Sequence, residues 1–275
     1  VPEDDSQVIY TWFDALNVYQ TSVGFGYDEN LWKKWWPADL HLIGKGIIRF
    51  HAVYWLGILL SVKLPLPKAL FVHGYISSGG QKMSKSLGNV VDPFEMVKKY
   101  GTDAVRYYFL REIPSYGDGD FSESRFKELY NADLANGLGN LVSRVAKLAS
   151  QEDVLQSSPR HSGNEQSEDS RIGFWTSQND GNLSTYKLAL DEFRFHDALA
   201  FVWEKVTIAN KTVDESKPWE LKGEELEKVL QNVIGQILEI AVLLEPFLPQ
   251  TADKIKKIFT GPSNQSPPSL FPRLK

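Results

Sequence analysis

Two lysines three residues apart, Lys82 and Lys85, lie in the run Ser77-Ser78-Gly79-Gly80-Gln81-Lys82-Met83-Ser84-Lys85-Ser86-Leu87-Gly88-Asn89. Glycine tolerates backbone angles that other residues avoid, so Ser-Ser-Gly-Gly reads as a turn. Backbone N–H groups in such a loop can approach a ligand closely, and an ammonium adds a compact, movable positive charge. That combination suits a polyphosphate. A solvated hairpin with two surface lysines is the alternative, and for an arbitrary Lys-x-x-Lys it would be preferred. A second group draws notice through its period. Ile47, His51 and Trp55 fall at i, i+4 and i+8, so a helix would carry them on one face.

The elements around these residues follow from apolar patterning. Residues 8–15 read as a strand ending in a helical turn at 16–19. Residues 32–37 read as a surface helix or loop closing at Pro37. Residues 39–44 form a second short strand, 45–62 a helix stopped by Leu64-Pro65-Leu66-Pro67, and 69–75 a third strand. Strand, helix, strand at this length predicts a βαβ crossover with its ligand at the carboxyl ends of the strands. Asp92-Pro93 opens a helix through 99, and Thr102-Asp103 caps another through 111. Residues 113–121 read as a link, and 122 to about 151 as helix. Residues 157–167 are a polar connector. Helical periods over 174–190, 195–213, 224–244 and 250–259 predict a bundle. The extended tail 269–275 is expected to dock back on the body.

Composition narrows the class. The chain has 275 residues, no cysteine, eight tryptophans and a net charge of −5. Without cysteine there is neither a disulfide framework nor a Cys-ligated zinc in this chain. No signal peptide or basic leader is expected ahead of Pro2-Glu3-Asp4-Asp5, and the longest apolar run, near 53–62, is too short for a bilayer. Residues 1–150 are charge-balanced and 151–275 net acidic, so bulk charge will not hold RNA. A few local contacts and stacking on aromatics would have to.

The five residues Lys82-Met83-Ser84-Lys85-Ser86 are the KMSKS signature of class I aminoacyl-tRNA synthetases, and the chain resembles that family. Within it the resemblance narrows to the methionyl-tRNA synthetases. Trp12-Phe13-Asp14-Ala15-Leu16-Asn17-Val18-Tyr19 is similar to their W-x-D-A-x-x-x-Y segment. The run from His41-Leu42-Ile43-Gly44-Lys45 through His51 to Trp55 is similar to their H-x-I-G-K-D-I-x-x-F-H-x-x-x-W segment. The resemblance implies that Lys85 and Lys82 are catalytic, with Lys85 on the pyrophosphate. It implies that Lys82, Met83, Ser84, Lys85, Ser86 and Gly44 bind ATP. Trp12, Ala15, Tyr19, Ile47 and His51 would line the methionine side-chain site. The chemistry fits: aromatic faces contact a thioether at roughly 0.3–1.5 kcal/mol each, and a Tyr hydroxyl and an imidazole N–H can donate to its weakly accepting sulfur. Taken singly, each of these residues reads better as core; the joint match reverses that.

Two departures stand out. The acidic residue that follows Gly-Lys in the family, and bonds the ATP ribose, is Gly46 here. The family's other signature, H-I-G-H or similar, is missing, and so is the cysteine-bearing insertion. Further on, Asn136 to Arg144 and Asn210 to Trp219 are similar to the anticodon-domain segments. By position Asn140, Arg144 and Trp219 would read the anticodon of tRNA(Met).

The expected fold is α/β followed by all-α: the C-terminal half of a Rossmann-like parallel sheet, a connecting helical segment, and a helical-bundle anticodon domain. The expected boundaries are 1–92, 93–122 and 123–275, with a mobile connector at 153–171. The implied function is ATP-dependent methionine activation and transfer to tRNA(Met), with ATP and Mg2+, no zinc site and no membrane. The missing N-terminal half would be supplied in cis or in trans, and the chain alone is expected to be inactive. A cytoplasmic location is expected, with an organellar matrix as the alternative. A class I synthetase for an aliphatic amino acid and a non-catalytic RNA-binding module are the rival readings.

Overall fold

The computed structural model describes residues 2–151, 180–260 and 269–274. They form two compact units, Val1–Tyr75 with Tyr116–Asp118, and Ile76–Ser115 with Gly119–Lys275.

The first unit begins with three short helices, α1 Thr11–Ala15, α2 Val18–Thr21 and α3 Glu29–Trp35. The strand expected over 8–15 is therefore corrected: Thr11–Ala15 is helical, and Val8, Ile9 and Tyr10 have no strand partner among the described residues. Trp12, Leu16 and Tyr19 fall on a helical period and pack into one cluster with Trp36, Trp55 and Leu59, which overrides the local β preference. Asp28 caps α3 by accepting from the N–H groups of Asn30 and Leu31.

Strand β1, His41–Gly44, pairs in parallel with β2, Leu70–His73, in the register His41↔Leu70 to Gly44↔His73. The crossover between them is helical, as expected, though not uniformly α. It runs as a 3-10 turn at Lys45–Ile47, a π-helical segment at Phe50–Trp55 and α4 at Leu56–Ser61. Gly74 follows β2 because the Gly117 carbonyl occupies the space a Cβ would need.

The second unit opens with a three-stranded sheet in the order β4-β3-β5. β3, Ile76–Ser78, is antiparallel to β4, Gln81–Lys82, and parallel to β5, Gly119–Phe121. The link expected over 113–121 thus contains a strand. Helices α5, Pro93–Tyr100, and α6, Thr102–Glu112, come between β4 and β5. Asp92 caps α5 through the Phe94 N–H at 2.8 Å. The cap expected at Thr102-Asp103 is absent: α6 has no side-chain cap. Instead the buried Asp103 carboxylate accepts from the N–H and the hydroxyl of Thr251, at 2.6 and 2.7 Å. Those groups are in the first turn of the last helix, where N–H groups lack intrahelical partners.

The bundle consists of α7, Glu123–Leu129, a π-helical stretch at Tyr130–Gly139, α8 at Asn140–Gln151, α9 at Asp180–Asp191, α10 at Phe195–Ser216, α11 at Gly223–Leu244 and α12 at Pro249–Thr260. Leu134, Leu138, Leu141 and Val145 bury one continuous ridge, met by Val202, Val206 and Ala209 of α10 and Ile237, Ile240 and Leu244 of α11. The connector expected at 153–171, like the helical residues expected at 174–179, lies outside the described residues. The tail docks as expected: Leu270 and Phe271 are buried, and Asn131 exchanges two hydrogen bonds with the Leu274 backbone.

Candidate functional site

The first unit gathers Trp12, Tyr19 and His51 from helical segments on either side of β1. The Tyr19 hydroxyl lies 2.8 Å from His51 Nε2, and Trp12 meets the His51 ring edge-on at 6.1 Å between centroids. His51 Nδ1 is 3.0 Å from the Ile47 carbonyl, one helical turn back. A carbonyl only accepts, so Nδ1 carries the proton, and in that tautomer Nε2 accepts from the Tyr19 hydroxyl. Both donors that could reach a sulfur atom are therefore engaged within the protein. What the group still offers a ligand is its aromatic faces. Trp12 stacks on Phe50 at 4.1 Å and 5°, which fixes its ring plane.

Two further residues hold this arrangement. His41 is 5% exposed, packs against Tyr19 at 4.4 Å between centroids, and accepts from Trp55 Nε1 at 3.3 Å. Burial, and then the neighbouring His51, push its pKa below the ordinary 6.5, which keeps it neutral and able to accept. Ile47 joins through its carbonyl. No contact places Ala15, the last residue of α1, with the ring group. The sequence pattern contained His41 and Trp55 without marking them as part of the site. The signal for Trp55 was helical period, and for His41 its place in a short apolar strand, not reactivity.

The carboxyl ends of β1 and β2 carry a second cluster. Lys45 Nζ is 2.5 Å from Asp118 Oδ2 and 4.6 Å from the centroid of the Tyr75 ring. Asp118 Oδ1 accepts the Tyr75 N–H at 2.8 Å. The Lys45 bond, then that N–H, hold the Asp118 carboxyl below its usual range. Gly46 explains itself sterically: a Cβ there would run into the Tyr75 hydroxyl. A carboxylate side chain at position 46 and Tyr75 in its present place exclude one another. Gly44 has ordinary extended angles, and a Cβ there would make only normal contact with His73. The backbone does not require glycine at that position.

In the second unit the lysine run forms the β3–β4 hairpin and the turn after it. Gly79 and Gly80 have φ of +62° and +74°, as the turn demands. Asp120 of β5 pins this turn, accepting from the Gly80 N–H at 2.8 Å and the Ser77 hydroxyl at 2.5 Å. Beyond Lys82 the chain makes a 3-10 turn at Lys85–Leu87 and reverses at Gly88, φ +66°. Ser84 and Ser86 join their hydroxyls at 2.7 Å, while Met83 packs against the bundle core. Lys82 and Lys85 are exposed, and neither ammonium has a hydrogen-bond or ion-pair partner among the described residues. Two unpaired cations on a pinned turn can receive an anion without first breaking a bond.

The bundle brings the other three predicted residues into view. Lys217 adopts φ +45° and ends α10, and Pro218 prevents its continuation. The chain leaves Trp219 52% exposed. Arg144 lies 5.6 Å over its ring and bonds Asp214 at 2.8 Å. Asn140 stands exposed within a continuous helix with φ −66° and ψ −43°, so its side chain caps nothing. An exposed indole with a guanidinium across it, near a turn, is a platform on which an unpaired base can stack.

Comparison with known proteins places the chain in a family. Residues 1–146 match the family described as tRNA synthetases class I (M). The chain is 40% identical over 260 residues to the methionine–tRNA ligase of Thermotoga maritima, covering 92% of this chain and 40% of that protein. To the Bacillus subtilis methionine–tRNA ligase it is 40% identical over 261 residues, covering 93% and 39%. Among solved structures, Mycobacterium tuberculosis methionyl-tRNA synthetase in complex with methionyl-adenylate superposes with a TM-score of 0.82 at 34% identity, covering 99% of this chain and 58% of that one. The chain thus spans about 40% of the length of the curated relatives it matches. With a family match over more than half its residues, the chain belongs to the class I (M) tRNA synthetases.

Proposed function

We propose that the chain is a segment of a methionine–tRNA ligase, which activates methionine with ATP and transfers it to tRNA(Met). The observation that carries this reading is the Trp12–Tyr19–His51 group, where an aromatic cage is held by its own hydrogen bonds and closed to competing donors. Such a cage favours a polarisable, unbranched side chain over a branched aliphatic one. Ala15 leaves room at the end of α1, and Ile47 supplies both apolar surface and the carbonyl that sets the His51 tautomer.

In this reading Lys85, with Lys82, neutralises the charge that builds on the phosphate oxygens as pyrophosphate leaves. Met83, Ser84 and Ser86 shape the loop, and the Gly44 backbone lies against the nucleotide. Asn140, Arg144 and Trp219 take the anticodon. We divide the chain functionally into the sheet half with its lysine loop at 1–92, a connecting segment at 93–122 and the anticodon bundle at 123–275. The remainder of the catalytic fold comes from the same chain or a second one. Mg2+ accompanies the ATP of this reading, but the described residues offer no group of three or more His, Asp or Glu side chains to hold it. No helix among the described residues is long and apolar enough to cross a membrane, and we place the reaction in the cytoplasm or an organellar matrix.

The test uses the complete protein. Methionine-dependent ATP–pyrophosphate exchange should be present, and Trp219→Ala should leave it unchanged. The same variant should lower kcat/KM for tRNA(Met) roughly 10- to 100-fold, the worth of one stacked base. An unchanged kcat/KM for tRNA would remove Trp219 from the anticodon site. Absence of methionine-dependent exchange would overturn the reading as a whole.

A further inference from the structure

Asn89 closes the lysine loop with a single side chain. Its Oδ1 accepts the Ser84 N–H at 2.8 Å, and its Nδ2 donates to the Lys82 carbonyl at 3.2 Å. The two bonds fix the amide's orientation, since a flipped amide would set donor on donor and acceptor on acceptor. They grip the backbone on both sides of Met83, at Lys82 itself and at the residue before Lys85. Without them, the 3-10 turn that carries Lys85 is linked to the hairpin that carries Lys82 only through one peptide unit on each side of Met83. The turn's own bonds are local: Leu87 N–H to the Ser84 carbonyl and Gly88 N–H to the Lys85 carbonyl. Gly88, in the left-handed region, reverses the chain and brings Asn89 back across the loop.

We propose that Asn89 is a positioning residue for phosphate transfer, clamping the Lys82 backbone to that of Ser84, the residue before Lys85, so that both ammonium groups meet the phosphates in one geometry. The inference rests on reading those two lysines as the phosphate-binding cations. Asn89 itself touches no phosphate. Stabilisation of developing charge depends on donors already in place when the charge forms, so loosening the spacing between two cations lowers the rate of activation and leaves the amino-acid site alone. Asparagine suits the task because it offers a donor and an acceptor at one reach. Aspartate keeps the acceptor for the Ser84 N–H and loses the donor to Lys82.

The experiment is a mutant cycle in the complete protein, read by ATP–pyrophosphate exchange. Asn89→Ala should lower kcat by about 10- to 50-fold with the methionine KM changed by less than about 2-fold. Asn89→Asp, which keeps the Ser84 bond but sets a carboxylate oxygen against the Lys82 carbonyl, should also lower kcat with the methionine KM little changed, and it serves as the test should the alanine variant fail to fold. In a Lys85→Ala background, Asn89→Ala should add less than about 2-fold, because its effect passes through the lysines. Full exchange by Asn89→Ala beside a disabled Lys85→Ala would overturn the proposal. So would losses that simply multiply in the double variant, or a rise in methionine KM equal to the fall in kcat. Normal exchange by Lys85→Ala would overturn the phosphate reading beneath it, and is told apart by that single variant.

Discussion

The aromatic group of the first unit and the lysine loop of the second treat polar atoms in opposite ways. Around His51 three donors are used inside the protein: Nδ1–H goes to the Ile47 carbonyl, the Tyr19 hydroxyl to Nε2, and Trp55 Nε1–H to His41. At the loop the backbone is held, by Asp120 at the turn and Asn89 beyond it, while the ammonium groups of Lys82 and Lys85 have no partner among the described residues. A site for a neutral apolar side chain gains from having its polar groups satisfied beforehand, because an unpaired buried group costs about 1–3 kcal/mol. A site for a polyanion gains from cations that water alone solvates, since an existing ion pair would have to be broken first. Lys45 shows the contrast within the first unit. It is already paired with Asp118 and covered by Tyr75, and is the poorer candidate for phosphate.

The sharpest way to break this comparison is Lys85→Ala in the complete protein. Methionine-dependent exchange should fall on the order of 10³-fold, comparable to losing a preorganised transition-state donor, while tRNA binding by gel shift stays unaltered. Near-normal exchange would make the loop's free cations incidental. Next comes Tyr19→Phe, which leaves His51 Nε2 without its donor. The methionine KM should rise roughly 10-fold with little change in the ATP KM; an unaffected methionine KM would show that the hydrogen-bonded cage does not serve binding.

A smaller effect tests the steric pair at the strand ends. Gly46→Ala should lower the melting temperature slightly by displacing the Tyr75 hydroxyl, at a cost below about 1 kcal/mol because the phenol end faces solvent. In a Tyr75→Phe background the same change should cost nothing. Equal losses in both backgrounds would mean that the clash lies elsewhere.

The smallest effect is electrostatic. The folded state holds the His41 pKa below 6.5, so the unfolded chain binds the proton first as pH falls. The contribution of neutral His41 is fully present above pH 6.5 and is lost as pH drops from there through the depressed folded value. Stability of the protein should therefore decline over that window, and His41→Gln should flatten the decline. An identical slope in the variant would contradict the assignment.

Legibility from sequence followed the distance over which each feature is written. The lysine loop is contiguous, and its hairpin, glycines and signature were readable without coordinates. The βαβ crossover, the helical period of Ile47, His51 and Trp55 and the docking of the tail were readable because each is a local apolar pattern. Residues 8–15 were misread because a run of β-branched and aromatic residues looks like a strand. Only packing of Trp12 and Leu16 against Phe50 and Trp55 makes the stretch helical. Strand β5 has three residues, and its partner lies about forty positions away, so no local pattern announces it. The same holds for Asp103, whose bonds reach Thr251. The positioning residues were invisible for a related reason. Asn89, Asp118 and Asp120 each bond a backbone group, and neither their type nor their spacing signals reactivity.

The most direct test of the account is amino-acid selectivity in ATP–pyrophosphate exchange, measured on the complete protein against methionine, leucine, isoleucine and valine. The aromatic cage predicts exchange with methionine and at most about a hundredth of that kcat/KM for each branched competitor. Exchange with leucine or isoleucine at a rate equal to methionine would contradict the claim that Trp12, Tyr19 and His51 hold a thioether side chain.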